Sequence, residues 1–286
     1  MIRIGVDFGG TKIEAAAMHP DGRILSRVRW PTPVGYDAKV EAVRDIVAEA
    51  QKQAQVRWAP VGVGGPGSIS PNTGLLRNSN STELNGRPFA ADLSRALTRE
   101  IRYANDANCL ALSEATDGAA AGAEVVFAAI LGTGCGGGLA IRGRPIVGAN
   151  AIAGEWGHTP LPWPMTDELP GPSCWCGRRN CLELWISGSG LARAAGRPAE
   201  EAVKDPAELD RYVDRLGRGL AVICDVLDPD VIVLGGGMSN VEALYDRLPS
   251  AIAPHVFSDV FQTPIRRAAH GDSSGVRGAA WLWGGP

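Results

Sequence analysis

The sequence has no apolar run approaching the roughly 20 residues that cross a bilayer, and it has little imbalance of charge. Its 28 Lys and Arg against 31 Asp and Glu give a formal net charge of −3, and the basic residues are scattered rather than massed. The first lack gives no membrane segment to expect. The second removes the electrostatic footprint that nucleic-acid binding needs. A signal-peptide pattern is missing too, because Met1-Ile2-Arg3-Ile4 opens straight into alternating apolar positions. A cytoplasmic protein is expected, so its six cysteines should be buried, metal-bound or catalytic thiols rather than disulfides.

Two familiar nucleotide fingerprints are also absent. Gly9-Gly10-Thr11-Lys12 lacks P-loop spacing, and no acidic residue follows Leu131-Gly132-Thr133-Gly134-Cys135-Gly136-Gly137-Gly138 where a dinucleotide fold places one. What stands instead is a pair of glycine-rich turns, each directly after a short apolar run. Ile2, Ile4 and Val6 alternate into Asp7-Phe8-Gly9-Gly10-Thr11-Lys12, and the continuous run Val125 to Leu131 leads into the second turn. Glycine lets backbone N–H groups approach an anion closely, so both turns read as phosphate clamps; a tight hairpin is the plainer alternative for either alone. Asp7, at the strand end, could hold hydrated Mg2+ beside a polyphosphate. A third strand and turn, Val231 to Leu234 into Gly235-Gly236-Gly237, adds to the nucleotide reading.

At 286 residues and 45% hydrophobic content the chain suits two α/β lobes. The turn His19 to Arg23 predicts a hairpin into a strand through Ile24 and Val28, and Val40, Val43, Ile46 and Val47 predict a helix over 38–55. A buried strand over 60–64, a helix near 90–98 and a strand over 101–104 follow, and the last delivers Asn105-Asp106-Ala107-Asn108 at its carboxyl end, where open α/β sheets place function. The expected division is a first lobe over 1–108 and a second over 109–274, with a terminal helix near 275–286 returning to the first. No internal repeat is convincing, although each lobe opens with a strand and a glycine turn.

Phosphoryl transfer to a hydroxyl needs a base within reach of the attacking oxygen, and Asp106 is the candidate. An Asx turn or helix N-cap would account for the same residues on structural grounds, and spacing alone leaves both open. His158 with Cys174, Cys176 and Cys181 supplies three thiolates and one imidazole, a common closed tetrahedral zinc set. Such a site pins the segment 158–181 rather than performing the reaction, and presents Glu155 and Glu183 towards a substrate. Trp156, Trp163, Trp175 and Trp185 read as packing rather than a sugar platform, Arg178 and Arg179 as a solvated turn, and Cys109, Cys135 and Cys224 as core. His19, His255 and His270 lack acidic partners in recognisable spacing.

Taken together, Asp7 to Lys12, Asn105 to Asn108, Leu131 to Gly134, Glu155 to His158 and Cys174 to Glu183 resemble, in that order, the ROK family of sugar kinases and repressors. The resemblance spans essentially the whole chain. It implies a two-lobed, actin-like (ribonuclease H-like, hexokinase-type) α/β ATPase fold with a zinc segment, binding hexose and MgATP between the lobes. It further implies Asp106 as general base, and Gly9, Gly10, Thr11, Lys12 and Gly132, Thr133, Gly134, Gly136, Gly137, Gly138 as phosphate loops. Gly235, Gly236 and Gly237 would lie beside the adenosine, and Gly65, Asn80, Asn105, Asp106, Glu155, His158 and Glu183 near the sugar. His158, Cys174, Cys176 and Cys181 would hold Zn2+.

Within the family the chain is most similar to fructokinases of the mannofructokinase type, through Asn80 to Gly86, Ala153 to His158 and His270 to Trp281. That implies ATP-dependent phosphorylation of D-fructose at the 6-hydroxyl, with mannose, glucose or N-acetylglucosamine as alternative sugars. A sugar-responsive regulator without catalysis is the reading of another class, and the first phosphate motif starts too near Met1 for a preceding DNA-binding domain. Family members are often dimers, but monomer or homodimer is not legible. Two departures stand out: Asn180 replaces the knuckle's usual glycine, which asparagine's tolerance of left-handed backbone should permit, and the region 187–212 looks short.

Overall fold

Each half of the chain builds a five-stranded sheet, and the two sheets share one strand order. The computed structural model describes residues 1–285. The first half runs β1 (Arg3–Phe8), β2 (Lys12–Met18), β3 (Ile24–Pro31), α1 (Tyr36–Gln53), β4 (Val61–Gly65), β5 (Ser68–Ile69), β6 (Leu76–Arg77), α2 (Phe89–Ala96), β7 (Ile101–Asn105) and α3 (Asp106–Asp117). The second runs β8 (Val125–Leu131), β9 (Cys135–Ile141), β10 (Arg144–Pro145), α4 (Glu183–Ile186), α5 (Gly188–Ala195), α6 (Ala199–Ala202), α7 (Pro206–Leu227), β11 (Val231–Gly235), α8 (Ala243–Ile252), β12 (Ile265–Arg267) and α9 (Ser274–Trp281).

Sheet order is β3-β2-β1-β4-β7 in one half and β10-β9-β8-β11-β12 in the other. In each, the first strand pairs antiparallel with the second and parallel with the fourth. The faint symmetry of the sequence is thus a repeat of topology. Both glycine turns occupy its equivalent hairpin, β1 to β2 and β8 to β9.

The helix predicted over 38–55 forms over 36–53, with Val43, Ile46 and Val47 buried as its spacing requires. The hairpin at 19–23 also forms, but its first arm is β2, which the sequence reading passes over. Ile13-Glu14-Ala15-Ala16-Ala17-Met18 does not alternate because β2 lies inside the sheet and every one of these residues is buried. Glu14 is accommodated there by Arg27 and Arg29 of β3, at 2.6 and 2.5 Å. One core gathers Val6, Phe8, Val43 and Phe89; another gathers Phe127, Leu131, Leu216 and Leu220 against α7. Each such side chain contributes about 1.5–3 kcal/mol by leaving water. Among the described residues no helix is long and apolar enough to cross a membrane.

The terminal helix α9 packs on β1, β2, β4 and α3 rather than on the second sheet. Its backbone lies directly on glycines: a Cβ at Gly62 would stand 1.8 Å from the Ala279 carbonyl oxygen, and one at Gly278 1.8 Å from the Cys109 carbonyl oxygen. Gly278→Ala must therefore push α9 off α3, since backbone cannot step aside as a side-chain tip can. The expected cost is about 1–3 kcal/mol or more, the range for overpacked cores, read as a lowered midpoint in urea or thermal melts. A midpoint equal to that of the parent chain would show the crossing to be loose.

Two chain passages join the halves, one after α3 and one before α9, and a single buried carboxylate fastens them together. Glu114 accepts from the Ala119 N–H of the first passage, and from the Ala269 N–H, His270 N–H and Ser274 hydroxyl of the second. His270, assigned no partner from sequence, has its Nε2 3.1 Å from an Asp117 carboxylate oxygen, and Arg277 joins the same carboxylate. This partnership spans more than 150 residues, beyond any spacing rule.

Candidate active site

The second glycine turn lines a cavity between the two halves, and the first lies outside its walls. In the first, the Gly9 N–H donates to the Lys12 carbonyl at 3.0 Å, and Thr32 of the neighbouring loop secures Gly9 and Thr11 from behind. Gly10 and Thr11 are exposed, and Lys12 reaches to 3.5 Å from Asp272. In the second, the Gly132 N–H donates to Gly134, while the Gly132 carbonyl accepts from Gly188 at the start of α5. The plainer hairpin reading is geometrically correct for both turns. It also leaves the tips of both turns, Gly10-Thr11 and Thr133-Gly134, exposed.

Asp106 is the first residue of α3, and the Asn105 side chain caps that helix by accepting from the Ala107 N–H at 2.9 Å. Helix start and catalytic candidate therefore coincide in adjacent residues: Asn105 does the capping, and Asp106 faces a cavity. The Ala107 N–H also donates to Asp106 Oδ1 at 2.8 Å. Enclosure by protein on the other sides raises the Asp106 pKa, against that hydrogen bond and with help from the charge of Glu155. Asp7, on β1 just before the first turn, is pushed up to about 7 by burial, by Asp106 and by Glu14, against Lys12 and Arg29. Asp106 is thus the largest acidic contributor to the raised Asp7 pKa.

The cavity measures about 520 Å3 and draws walls from both halves of the chain, a size ordinary for small-molecule sites. Asn80, Asn105 and Asp106 line it from one side; Glu155, His158 and Glu183 line it from the other, with Gly132, Thr133, Gly134, Gly136 and Gly137 between. A second hollow of about 720 Å3 continues from Gly132 and Thr133 past the start of α5 to Gly237 and Met238. The remaining expected residues lie elsewhere. Gly65 is buried at the end of β4 against Tyr103, and it is Pro66 and Gly67 that reach the cavity. Gly138 is inside β9, where a Cβ would stand 2.1 Å from the Ala107 carbonyl, so its lack of a side chain seats the start of α3. Gly235 closes β11 beside Leu110, and Gly236 takes a left-handed turn at φ 81° behind Leu131.

Trp156 packs edge-on against Phe127 and is buried, as expected of a packing tryptophan. Trp175 departs from that reading. It is 63% exposed, lines the cavity and donates from Nε1 to Glu183 at 2.9 Å. The other Glu183 oxygen accepts from the Cys135 N–H at 3.0 Å, which fixes the carboxylate across the second turn.

The ligand atoms of His158, Cys174, Cys176 and Cys181 all lie within 4.8 Å of one another. Thiolates bound 2.3 Å from one tetrahedral ion stand about 3.8 Å apart. Here Cys176 and Cys181 are 3.6 Å apart, and Cys174 is 3.7 Å from His158 Nδ1. The four residues fit a closed tetrahedral metal set. Asn180, in the turn before Cys181, has φ 58°, and its Oδ1 accepts from Trp185. Asparagine thus adopts the left-handed backbone as expected. Across the loop, buried Glu168 binds Arg215 and Arg218 of α7 at 2.7 and 2.8 Å, an anchor that no local spacing announces.

A base that must be ionised loses activity as pH falls, and a raised pKa moves that loss towards neutrality. The acid limb of kcat is expected above the ordinary aspartate value of about 3.9, and Glu155→Gln, which removes a charge that raises Asp106, is expected to move it to lower pH. A limb unmoved by that substitution would detach it from Asp106.

A family model described as the ROK family matches residues 3–285. The N-acetyl-D-glucosamine kinase of Citrobacter koseri is 39% identical to the chain over 297 residues, covering 97% of this chain and 98% of that protein. The ROK hexokinase of Thermus thermophilus superposes with a TM-score of 0.85 at 34% identity, covering 99% of this chain and 97% of that one. A ROK family glucokinase from Streptomyces griseus, solved with glucose and AMPPNP, gives 0.79 at 28% identity, with 99% of each chain covered. The fructokinase subtype expected from the sequence finds no support in these relatives.

Proposed function

The chain belongs to the ROK family and is a sugar kinase of two-lobed hexokinase-type fold, and on that premise we propose that it phosphorylates N-acetyl-D-glucosamine on the 6-hydroxyl with MgATP. The observation that carries the chemistry is the cavity in which Asp106 meets the Gly132 to Gly137 turn and polar groups from both halves. The choice of sugar rests on the N-acetyl-D-glucosamine kinases at 38–39% identity over 97% of the chain.

In this reading the sugar lies between Asn80, Asn105, Glu155, His158 and Glu183, whose oxygens and ring nitrogen suit a ring of hydroxyls. Asp106 takes the proton from the 6-hydroxyl as that oxygen attacks the γ-phosphorus, and the ADP oxygen leaves in line. The hairpin N–H groups of Gly9 to Lys12 and Gly132 to Gly137 hold the phosphates, and the hollow beside Gly237 takes the nucleoside. Asp7 would hold hydrated Mg2+, which neutralises phosphate charge when bound. His158, Cys174, Cys176 and Cys181 would hold Zn2+, which supplies a structural cross-link and, with all four positions filled, no bound water.

The test is ADP release with MgATP across N-acetylglucosamine, glucose, mannose and fructose at low concentration. The kcat/KM for N-acetylglucosamine is expected to exceed the others by tenfold or more, an ordinary margin for sites that pair a polar substituent. A preference for fructose would restore the sequence-based expectation, and no turnover of any sugar would favour a regulator.

A further inference from the structure

A 2-acetamido sugar differs from a hexose by a short arm that carries one amide N–H, one carbonyl oxygen and one methyl. Beside the main cavity lies a hollow of about 80 Å3 that shares Asn105, Gly137 and Glu155 with it. One water needs about 10–15 Å3 by the same measure, so the hollow admits a group of a few heavy atoms and little more. Its far wall is apolar, from Ile69 on β5 and from Val147, Ala151 and Ala153 in the loop after β10.

Its polar equipment is unusual. Tyr103 also lines it, but its hydroxyl already donates to the Pro66 carbonyl, and the Asn105 amide oxygen is committed to capping α3. Two further residues of its wall, Ser68 and Asn108, carry polar atoms, Oγ and Oδ1, that are buried with no hydrogen-bond partner. Asn108 is only 6% exposed. An unpaired buried polar atom costs about 1–3 kcal/mol, so two on side chains that line one small hollow call for a ligand that pairs them.

We infer that this hollow is the acyl subsite: the amide N–H donates to Asn108 Oδ1, the carbonyl oxygen accepts from Ser68 Oγ, and the methyl rests on Val147, Ala151 and Ala153. The inference rests on the reading of the substrate as a 2-acetamido sugar. It also ties substrate choice to lobe contact, because Ser68 and Asn108 belong to the first half and the apolar loop to the second. Arg77 of β6 joins the two by donating to the Asn150 carbonyl.

The experiment measures the ratio of kcat/KM for N-acetylglucosamine to that for glucose. Ala153→Leu, which fills the hollow, and Ser68→Ala, which removes the donor, should each lower the ratio by about 10–100-fold. Because variants can misfold, the unaltered protein is also offered glucosamine N-acylated with acetyl, butanoyl and benzoyl groups. Acetyl should be accepted, and the larger groups should raise KM at least about tenfold. A parent enzyme that prefers N-acetylglucosamine yet keeps its ratio in both variants, or accepts the benzoyl sugar equally, would overturn the subsite and leave the substrate reading intact. A parent enzyme with no preference for the acetylated sugar would overturn both.

Discussion

Asp106→Asn is expected to lower kcat by about 10²–10⁴-fold, the usual contribution of a positioned general base, while sugar binding changes little. The substitution keeps the size of the side chain and an oxygen able to accept from the Ala107 N–H, so α3 should start where it does now. Asn105, which caps the helix, is untouched. What disappears is the ability to take a proton from the attacking hydroxyl. Stopped-time ADP release reads kcat, and calorimetric titration with N-acetylglucosamine reads binding. A variant within about tenfold of the parent rate would send the proton elsewhere and remove Asp106 from the mechanism.

Removing a metal held by His158, Cys174, Cys176 and Cys181 should cost sugar affinity at least tenfold and nucleotide affinity far less. The reason lies in how little else holds residues 156–182. That stretch contains only short 3-10 turns and isolated bridges, such as Pro160 with Cys181 and Ser173 with Arg179. Glu168 fastens its middle to α7 through Arg215 and Arg218, but the knuckle and His158 have no comparable protein anchor. Structural zinc in finger peptides contributes about 10–16 kcal/mol of folding free energy, and a fraction of that would suffice to order one loop. Glu155, His158, Trp175 and Glu183 all reach the cavity from this stretch or its borders, whereas Gly237 and Met238 do not belong to it. Chelator-treated protein and Cys176→Ser should therefore show raised KM for sugar and faster proteolysis within 158–181. Metal analysis giving no zinc, or unchanged sugar affinity after its loss, would make the four-residue cluster incidental.

Much of the fold is legible because its signals are local. The strand over 125–131, the helix of Tyr36–Gln53, the hairpin at 19–23 and the Cys-x-Cys-x4-Cys knuckle each declare themselves within about twenty residues of chain. The strand Lys12–Met18 is hidden by its position: buried on both faces and rich in alanine, it shows no alternation and only one β-branched residue, Ile13. Partnerships across the chain are hidden for a different reason. Glu168 with Arg218, Glu114 with Ser274 and Asp117 with His270 join residues 50 to 160 positions apart, and nothing in linear spacing relates them. The candidate site divides along the same line. Asp106 and the metal set read from motif chemistry, and Asn108 belongs to the Asp106 motif, while Ser68 emerges only once the fold brings β5 and α3 round one hollow. Sugar choice belongs to that second kind of information, and the N-acetyl-D-glucosamine kinases among the relatives lend the fructokinase subtype no support.

The pinning of both interlobe passages on Glu114 has a mechanical meaning. Two bodies joined by a pair of separate tethers can slide, shear and twist past each other; tie the tethers at one point and sliding is suppressed, leaving rotation about that point. The carboxylate lies at one end of α3, and Asp106 opens the other end, so the helix works as the arm of that pivot. Rotation about that point would leave the hydrogen bonds at Glu114 in place while changing the spacing of Asp106, at the far end of α3, from the glycine turn of the other half.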